Sequence, residues 1–293
     1  MSRLTAQRCS LRPTRRPLAR ALAVAAIGIY SAAASAQQFD SGTPPAPSTA
    51  TKLEPAKEST SAFDINAGAS ITSDYNYRGY TLSDHRPSAS VNFEATYNIL
   101  FAGINGASVK MPMLSQFQMT DYAGIRPVFG PLTVETGVAY FSYPGSEIET
   151  SYAEYYITPR YALTSKFTIG LNAYYAPDYS RTGAWENFNS INAKYTFDSG
   201  LSLSGELGRQ SFGTTRATAL TAATKLPDYT YWNLGFSYTY SALTFDLRYF
   251  ATTLSKQNCN LITGTAPVGL GSNDCTPAII GTLSWNADLS GVK

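Results

Sequence analysis

The sequence predicts an all-β protein: a transmembrane antiparallel β-barrel of about 12 strands, with short periplasmic turns and longer extracellular loops. Three observations carry this. Segments of about ten residues alternate apolar and polar side chains, the length and period of a tilted, bilayer-crossing strand. The connections between them are short and long in strict alternation. The composition also fits. Only 14% of residues are charged, well under the usual quarter, while 13% are aromatic, with 21 Tyr. The mean hydropathy of −0.15 is too low for a helical membrane protein. It suits a barrel, where lumen-facing residues dilute the lipid-facing ones.

The chain opens with six arginines and no acid in residues 1–36. The apolar run Ala21–Ala33 is short for a membrane span, and Ala34-Ser35-Ala36 fits a small-residue cleavage site. A cleaved secretory signal over 1–36 is expected; the other reading is an uncleaved anchor. Thr14-Arg15-Arg16 hints at a twin-arginine signal, but that route carries folded cargo, so general secretion fits a barrel better. Without this segment 16 basic groups face 20 acidic ones, which argues against nucleic acid as a partner. Residues 37–61 hold Pro, Ser, Thr and Ala with almost no large apolar side chain, and are expected to be a disordered periplasmic linker.

The barrel is expected over 62–293. Its first strand, 62–75, sets the pattern: Phe63, Ile65, Ala67, Ala69 and Ile71 point one way, and Asp64, Asn66, Gly68, Ser70 and Thr72 the other. The second, 88–97, sets Val91, Phe93 and Ala95 against Asn92, Glu94 and Thr96; the third, 99–109, is weakly patterned. The fourth, 116–128, puts Phe117, Met119 and Ile125 outward and Gln118, Thr120 and Arg126 opposite. The fifth, 131–141, sets Leu132, Val134 and Val138 against Thr133, Glu135 and Gly137. Strands at 151–161, 165–175, 185–197, 201–209, 229–240, 243–252 and 278–289 follow, placing Lys194, Glu206, Asp246 and Arg248 on polar faces. Short turns fall after every even strand, at 98, 130–131, 164–165, 198–200 and 241–242. Longer connections fall at 76–87, 110–115, 142–150, 176–184, 210–228 and 253–277. An even strand number brings both ends of the barrel to the periplasmic side. Aromatics at strand ends, including Tyr75, Tyr77, Tyr140, Phe141, Tyr174, Tyr175 and Phe250, read as interfacial girdles.

Several strings resemble a known family. Ser73-Asp74-Tyr75-Asn76-Tyr77-Arg78-Gly79-Tyr80 is similar to the opening motif of the TorF-like family of porins, bacterial outer-membrane barrels. Phe141-Ser142-Tyr143-Pro144-Gly145, Ala153-Glu154-Tyr155-Tyr156, Asp228-Tyr229 through Gly235, and Thr252-Thr253-Leu254-Ser255 with Cys259 and Cys275 resemble its later motifs, in order. The chain departs from the family at Ala251-Thr252-Thr253, where an Asp is usual, and in ending on Lys293 rather than an aromatic. The resemblance spans nearly all of 62–289 and implies a fold and a bacterial outer-membrane location, without a substrate.

Charges are costly in lipid, about 2–4 kcal/mol for Arg or Lys at mid-depth, so the polar faces point inward. Asp64, Glu94, Arg126, Glu135, Lys194, Glu206, Asp246 and Arg248 are the expected lumen-lining residues. They mark either a selectivity lining or a set of ion pairs plugging a narrow barrel, and their mixed signs do not indicate strong ion selectivity. With Cys9 in the signal, Cys259 and Cys275 remain in the longest loop, and a disulfide is expected in an oxidising compartment. Free thiols or a metal site are the alternatives, the latter without His partners. The single His85 beside Ser83 and Ser88 is the nearest approach to a hydrolytic pair, but a lone loop His is more often simply exposed. No enzyme, no cofactor and no metal site is expected. The expected function is a porin-like channel for passive diffusion of small hydrophilic solutes. Its long loops, particularly 210–228 and 253–277, are expected to fold over the mouth and set its size; the alternative is a closed, non-conducting barrel whose extracellular loops bind a surface ligand or partner. No strand carries a flat intersubunit patch, so a monomer in outer-membrane lipid is expected rather than a trimer.

Overall fold

Alternation along each strand closes the sheet on itself. The computed structural model describes residues 63–111, 116–218, 222–267 and 269–289; the expected signal 1–36 and linker 37–61 lie outside them. The strands are β1 (Phe63–Thr72), β2 (Ser88–Tyr97), β3 (Leu100–Ser108), β4 (Phe117–Ile125), β5 (Leu132–Ser142) and β6 (Tyr152–Ala162). They continue as β7 (Phe167–Ala176), β8 (Glu186–Thr196), β9 (Leu201–Phe212), β10 (Tyr229–Tyr240), β11 (Leu243–Thr252) and β12 (Ala278–Asp288). Each pairs antiparallel with its neighbours in sequence, and β1 pairs with β12 from Asn66↔Asp288 to Thr72↔Thr282. The result is a closed 12-strand antiparallel barrel.

Closure leaves no sheet edge to satisfy, which strands in lipid require. The two faces differ sharply. Phe93, Leu171, Phe236 and Ile279 are 52%, 54%, 53% and 69% exposed on the outside, while Asn92, Glu94, Asn172 and Ser237 face inward and are buried. An apolar belt of this extent fits a bilayer and not water.

Strand bounds depart from the sequence reading in explicable places. The expected strand 116–128 breaks after Ile125, because Pro127 lacks an N–H to give to the ladder; Val128 and Phe129 then resume pairing with β5. β9 runs on to Phe212, three residues past the expected 209, because Phe212 still finds a partner in Glu186. β1 ends at Thr72, and the residues expected to extend it and open a loop instead form a second, small hairpin, Asn76–Tyr77 with Tyr80–Thr81. The last loop holds an unforeseen helix, α1 (Lys256–Thr263), capped by the Ser255 hydroxyl accepting from the Asn258 N–H and ended by Gly264 at φ 64°.

Candidate functional site

The small hairpin turns on Arg78-Gly79, with φ of 46° and 97°. Two successive residues at positive φ make the mirror-image turn whose twist matches a tight hairpin. Glycine is required at the second. Its backbone lies in the left-handed region, and an added Cβ would meet the Thr252 side chain at 2.0 Å. The Gly79 N–H donates to Asn76 Oδ1 at 2.9 Å and fixes the turn.

This hairpin lies inside the barrel mouth. Arg78 is 0% exposed. Its Nη1 donates to Glu154 Oε1 and Glu186 Oε1, each at 2.8 Å, and its Nη2 to Glu154 Oε2 at 3.1 Å. Glu154 projects from β6 and Glu186 from the start of β8. The guanidinium is also packed against the rings of Tyr77, Tyr174 and Phe188, 4.8, 4.7 and 4.5 Å from their centroids. Two strands further round from β8, Tyr229 on β10 donates its hydroxyl to the Arg78 carbonyl at 2.9 Å. The hairpin, rooted between β1 and β2, therefore reaches across the outer lumen to the arc of wall formed by β6 to β10.

Aromatics fill the space around it. Phe141, Tyr152, Tyr174, Phe188, Phe212, Tyr231 and Phe250 are buried in one cluster. Tyr77, Phe141, Tyr174 and Phe250, expected in an interfacial girdle, thus face the lumen, while Tyr140 and Tyr175 are exposed on the outside. Parity explains the split. Tyr174 shares its face with Asn172, Phe141 with Glu135, and Phe250 with Arg248, so alternation itself sends them inward.

A second cluster covers the hairpin from above. Tyr77, Tyr80 and Leu82 pack with Val109 and with Cys259 and Cys275 of the last loop. The two cysteines form a disulfide. The Thr81 N–H donates to the Asp274 carbonyl at 2.9 Å, tying the first loop to the last. His85 sits in the same joint, with Nδ1 3.0 Å from Asp74 Oδ2 and Nε2 3.2 Å from the Asn273 carbonyl. The Ser83 hydroxyl, with one hydrogen to give, lies 2.9 Å from Asp74 Oδ1 and 2.7 Å from the Arg86 carbonyl. Ser83 is thus engaged away from His85, and the pair is built as a clasp. Among the described residues of the last loop, Cys259 and Cys275 pack over the mouth, and Leu226 of the 210–228 connection is buried in the aromatic cluster, but the segment whose hairpin enters the lumen is the first loop.

The inner half of the lumen is polar. Arg126 donates from Nε to Glu135 Oε2 at 2.8 Å, and from Nη1 and Nη2 to Glu94 at 3.1 and 3.2 Å, with the Phe101 ring beneath it. Arg248 donates to both oxygens of Asp246, at 3.3 and 3.1 Å, and to Asn233 Oδ1 and Ser204 Oγ. Glu206 accepts from Asn172, Ser190 and Asn233. Lys194 and Asp64 are half-buried on the same inner face. Among the described residues no group of three His, Cys, Asp or Glu is placed to hold a metal. Removing Arg126 would strand two carboxylates that are each 1% exposed. Arg126→Met is therefore expected to cost about 3–5 kcal/mol, read as a lower urea midpoint of the folded barrel, and Glu94→Gln with Glu135→Gln in the same chain to recover most of it.

The groups that sequence reasoning missed are Arg78, which entered only as part of a motif, and its partners Glu154 and Glu186. Glu186 shares parity with Lys194, a signal available in the sequence; Glu154 sits in a motif but in a strand whose faces were not assigned.

The chain is similar in fold to several solved outer-membrane proteins. The KdgM porin aligns at 10% identity over 76% of this chain and 98% of that one, with a TM-score of 0.46. The NanC porin aligns at 10% identity over 77% and 98%, with a TM-score of 0.45. A loop L8 deletion mutant of OmpT, an outer membrane protein of Vibrio cholerae, aligns at 11% identity over 77% and 99%, with a TM-score of 0.39. No curated protein matches the chain. A family model does match over residues 56–271, from ahead of β1 to the last loop, and the chain belongs to that family: Gcw_chp, bacterial proteins of unknown function.

Proposed function

We propose that this chain is a porin-like channel of the bacterial outer membrane for small hydrophilic solutes, stoppered in the conformation described by its first loop. The observation that carries the reading is the division of the lumen. The polar inner half keeps two cations, Arg160 and Lys194, only half-buried, and the outer half is closed by an inserted hairpin rather than by the wall itself. A hairpin on a tether of loop residues can move; a wall cannot. The motif resemblance to the TorF-like family of porins supports the same reading. Delivery would follow from a cleaved signal over 1–36, with 37–61 as a periplasmic tail, and the barrel would act as a monomer without a cofactor and without catalysis.

The test is single-channel recording of refolded residues 37–293 in a planar bilayer. The native barrel is expected to give salt-proportional steps separated by long closed intervals. A variant with Asn76–Thr81 replaced by a Gly-Ser linker is expected to stay open. If that variant, shown to be folded by its heat-modifiable gel mobility, carries no current, the barrel is not a channel. A milder lesion, Gly79→Ala, is expected to raise the open fraction, because the new methyl group must displace Thr252 or the turn.

A further inference from the structure

Burial sorts the lumen charges in a way their signs alone do not. The acids Glu94, Glu135, Glu206 and Asp246 are 1%, 1%, 5% and 8% exposed. They are covered by the arginines, amides and hydroxyls that bind them. Two cations on the same inner face, Arg160 on β6 and Lys194 on β8, are only half-buried. Lys194 has no carboxylate within ion-pair distance. Its electrostatic neighbours are Arg248, Asp246 and Arg160, two cations to one acid, and that acid is already bound by Arg248. Register places the hydroxyls of Thr168 and Ser204 directly beside Lys194 on the flanking strands. Gly170 faces Arg160 across the β6–β7 ladder and takes up no lumen space there. The inward acids that keep comparable or greater exposure, Asp64 and Asp288, belong to β1 and β12, several strands away around the barrel.

The geometry points to an anion-binding site on the inner wall of β6–β9, centred on Lys194 with Arg160, Thr168 and Ser204, for a small multivalent anion such as a polycarboxylate or a phosphate. A half-exposed ammonium with three donors and no acid partner can exchange water for such a ligand without breaking an ion pair. A charge on a confined lumen with low-dielectric walls attracts a counter-ion more strongly than the same charge on an open surface, because the walls focus its field. As the solute class of the lumen this rests on the channel reading; as a binding site it can be measured apart from conduction.

The experiment is calorimetric titration of the folded barrel, residues 37–293 in uncharged detergent at low salt, with sodium citrate and separately with sodium phosphate. Saturable binding of at least one of them is expected, the stronger naming the preferred chemistry. Lys194→Gln is expected to weaken it about tenfold or more, the worth of one charge-assisted contact. Lys166→Gln, at an exposed turn where Lys166 pairs with Asp198 at 2.7 Å, is expected to bind as the native barrel does. Lys194 forms no ion pair, so its loss leaves no buried carboxylate without a partner, and gel mobility verifies the fold. The site is overturned if neither anion binds, if Lys194→Gln binds as well as the native chain, or if Lys166→Gln loses as much. Binding without current would remove the channel and keep the site; current without binding would remove the site and keep the channel.

Discussion

Arg78→Ala is expected to open the barrel and to destabilise it by about 3–5 kcal/mol, the cost of leaving buried charges without their partner. Arg78 is always protonated, and it alone answers both Glu154 and Glu186 at 2.8 Å. Without it Glu154 is left among aromatic rings, Glu186 keeps only the Gln210 amide as donor, and the hairpin loses its hold on the β6–β8 wall. The Tyr229 hydroxyl, the Tyr80–Tyr179 hydroxyl contact, the Thr81 bond to Asp274 and the packing of Tyr77 and Tyr80 then remain to keep it in place. Conductance should rise from brief openings to a standing current, and the urea midpoint should fall. Arg78→Ala combined with Glu154→Gln and Glu186→Gln separates the two effects. Stability should largely return, because the stranded charges are gone, while the current should persist, because nothing draws the hairpin inward. Arg78→Lys should close the barrel only in part, since an ammonium cannot reproduce the paired contact of a guanidinium with Glu154. A barrel that stays shut in Arg78→Ala would show that aromatic packing alone holds the stopper.

The second large effect is expected from the disulfide. Cys259 and Cys275 close a 16-residue span, and removing such a cross-link costs about 3 kcal/mol in the chain-entropy account. The loss should be local. The bond sits against Tyr77, Tyr80 and Leu82, so its removal loosens the cap over the hairpin rather than the barrel wall. Cys259→Ser with Cys275→Ser is expected to leave the heat-modifiable gel shift intact. Hydrogen exchange should speed up at Thr81 and Leu82, whose N–H groups donate to Asp274 and Tyr75. Reductant added to the native barrel should act slowly, because Cys259 is 0% and Cys275 6% exposed. Loss of the gel shift in the double variant would instead assign the disulfide to the stability of the whole barrel.

The wall of the barrel was legible because its code is local. A strand repeats every two residues, so Phe93 beside Glu94, or Leu247 beside Arg248, names both faces without knowledge of any partner. The same rule extended to strand ends would have turned Phe141, Tyr174 and Phe250 inward. Their position at strand ends suggests a girdle, but parity with Glu135, Asn172 and Arg248 decides their face. The lumen lining was visible as a set of charges, but not which of them water reaches. Glu94 and Glu135 are covered by Arg126 from the end of the next strand pair, whereas Lys194 is left open to the lumen, and that distinction depends on side-chain packing across several strands.

The chain order alone determined a closed antiparallel barrel, the inward and outward sets of its strands, and a last loop able to close on its two cysteines. Each follows from spacing within a segment or from the pairing of neighbours. Only the tertiary structure decided that the first loop folds into the lumen. Arg78 meets Glu154 and Glu186 across 76 and 108 residues of chain. An ion pair at such separation leaves no period in the sequence. It arises because barrel closure sets β6 and β8 across the lumen from the loop between β1 and β2, where a single guanidinium reaches carboxylates of both strands.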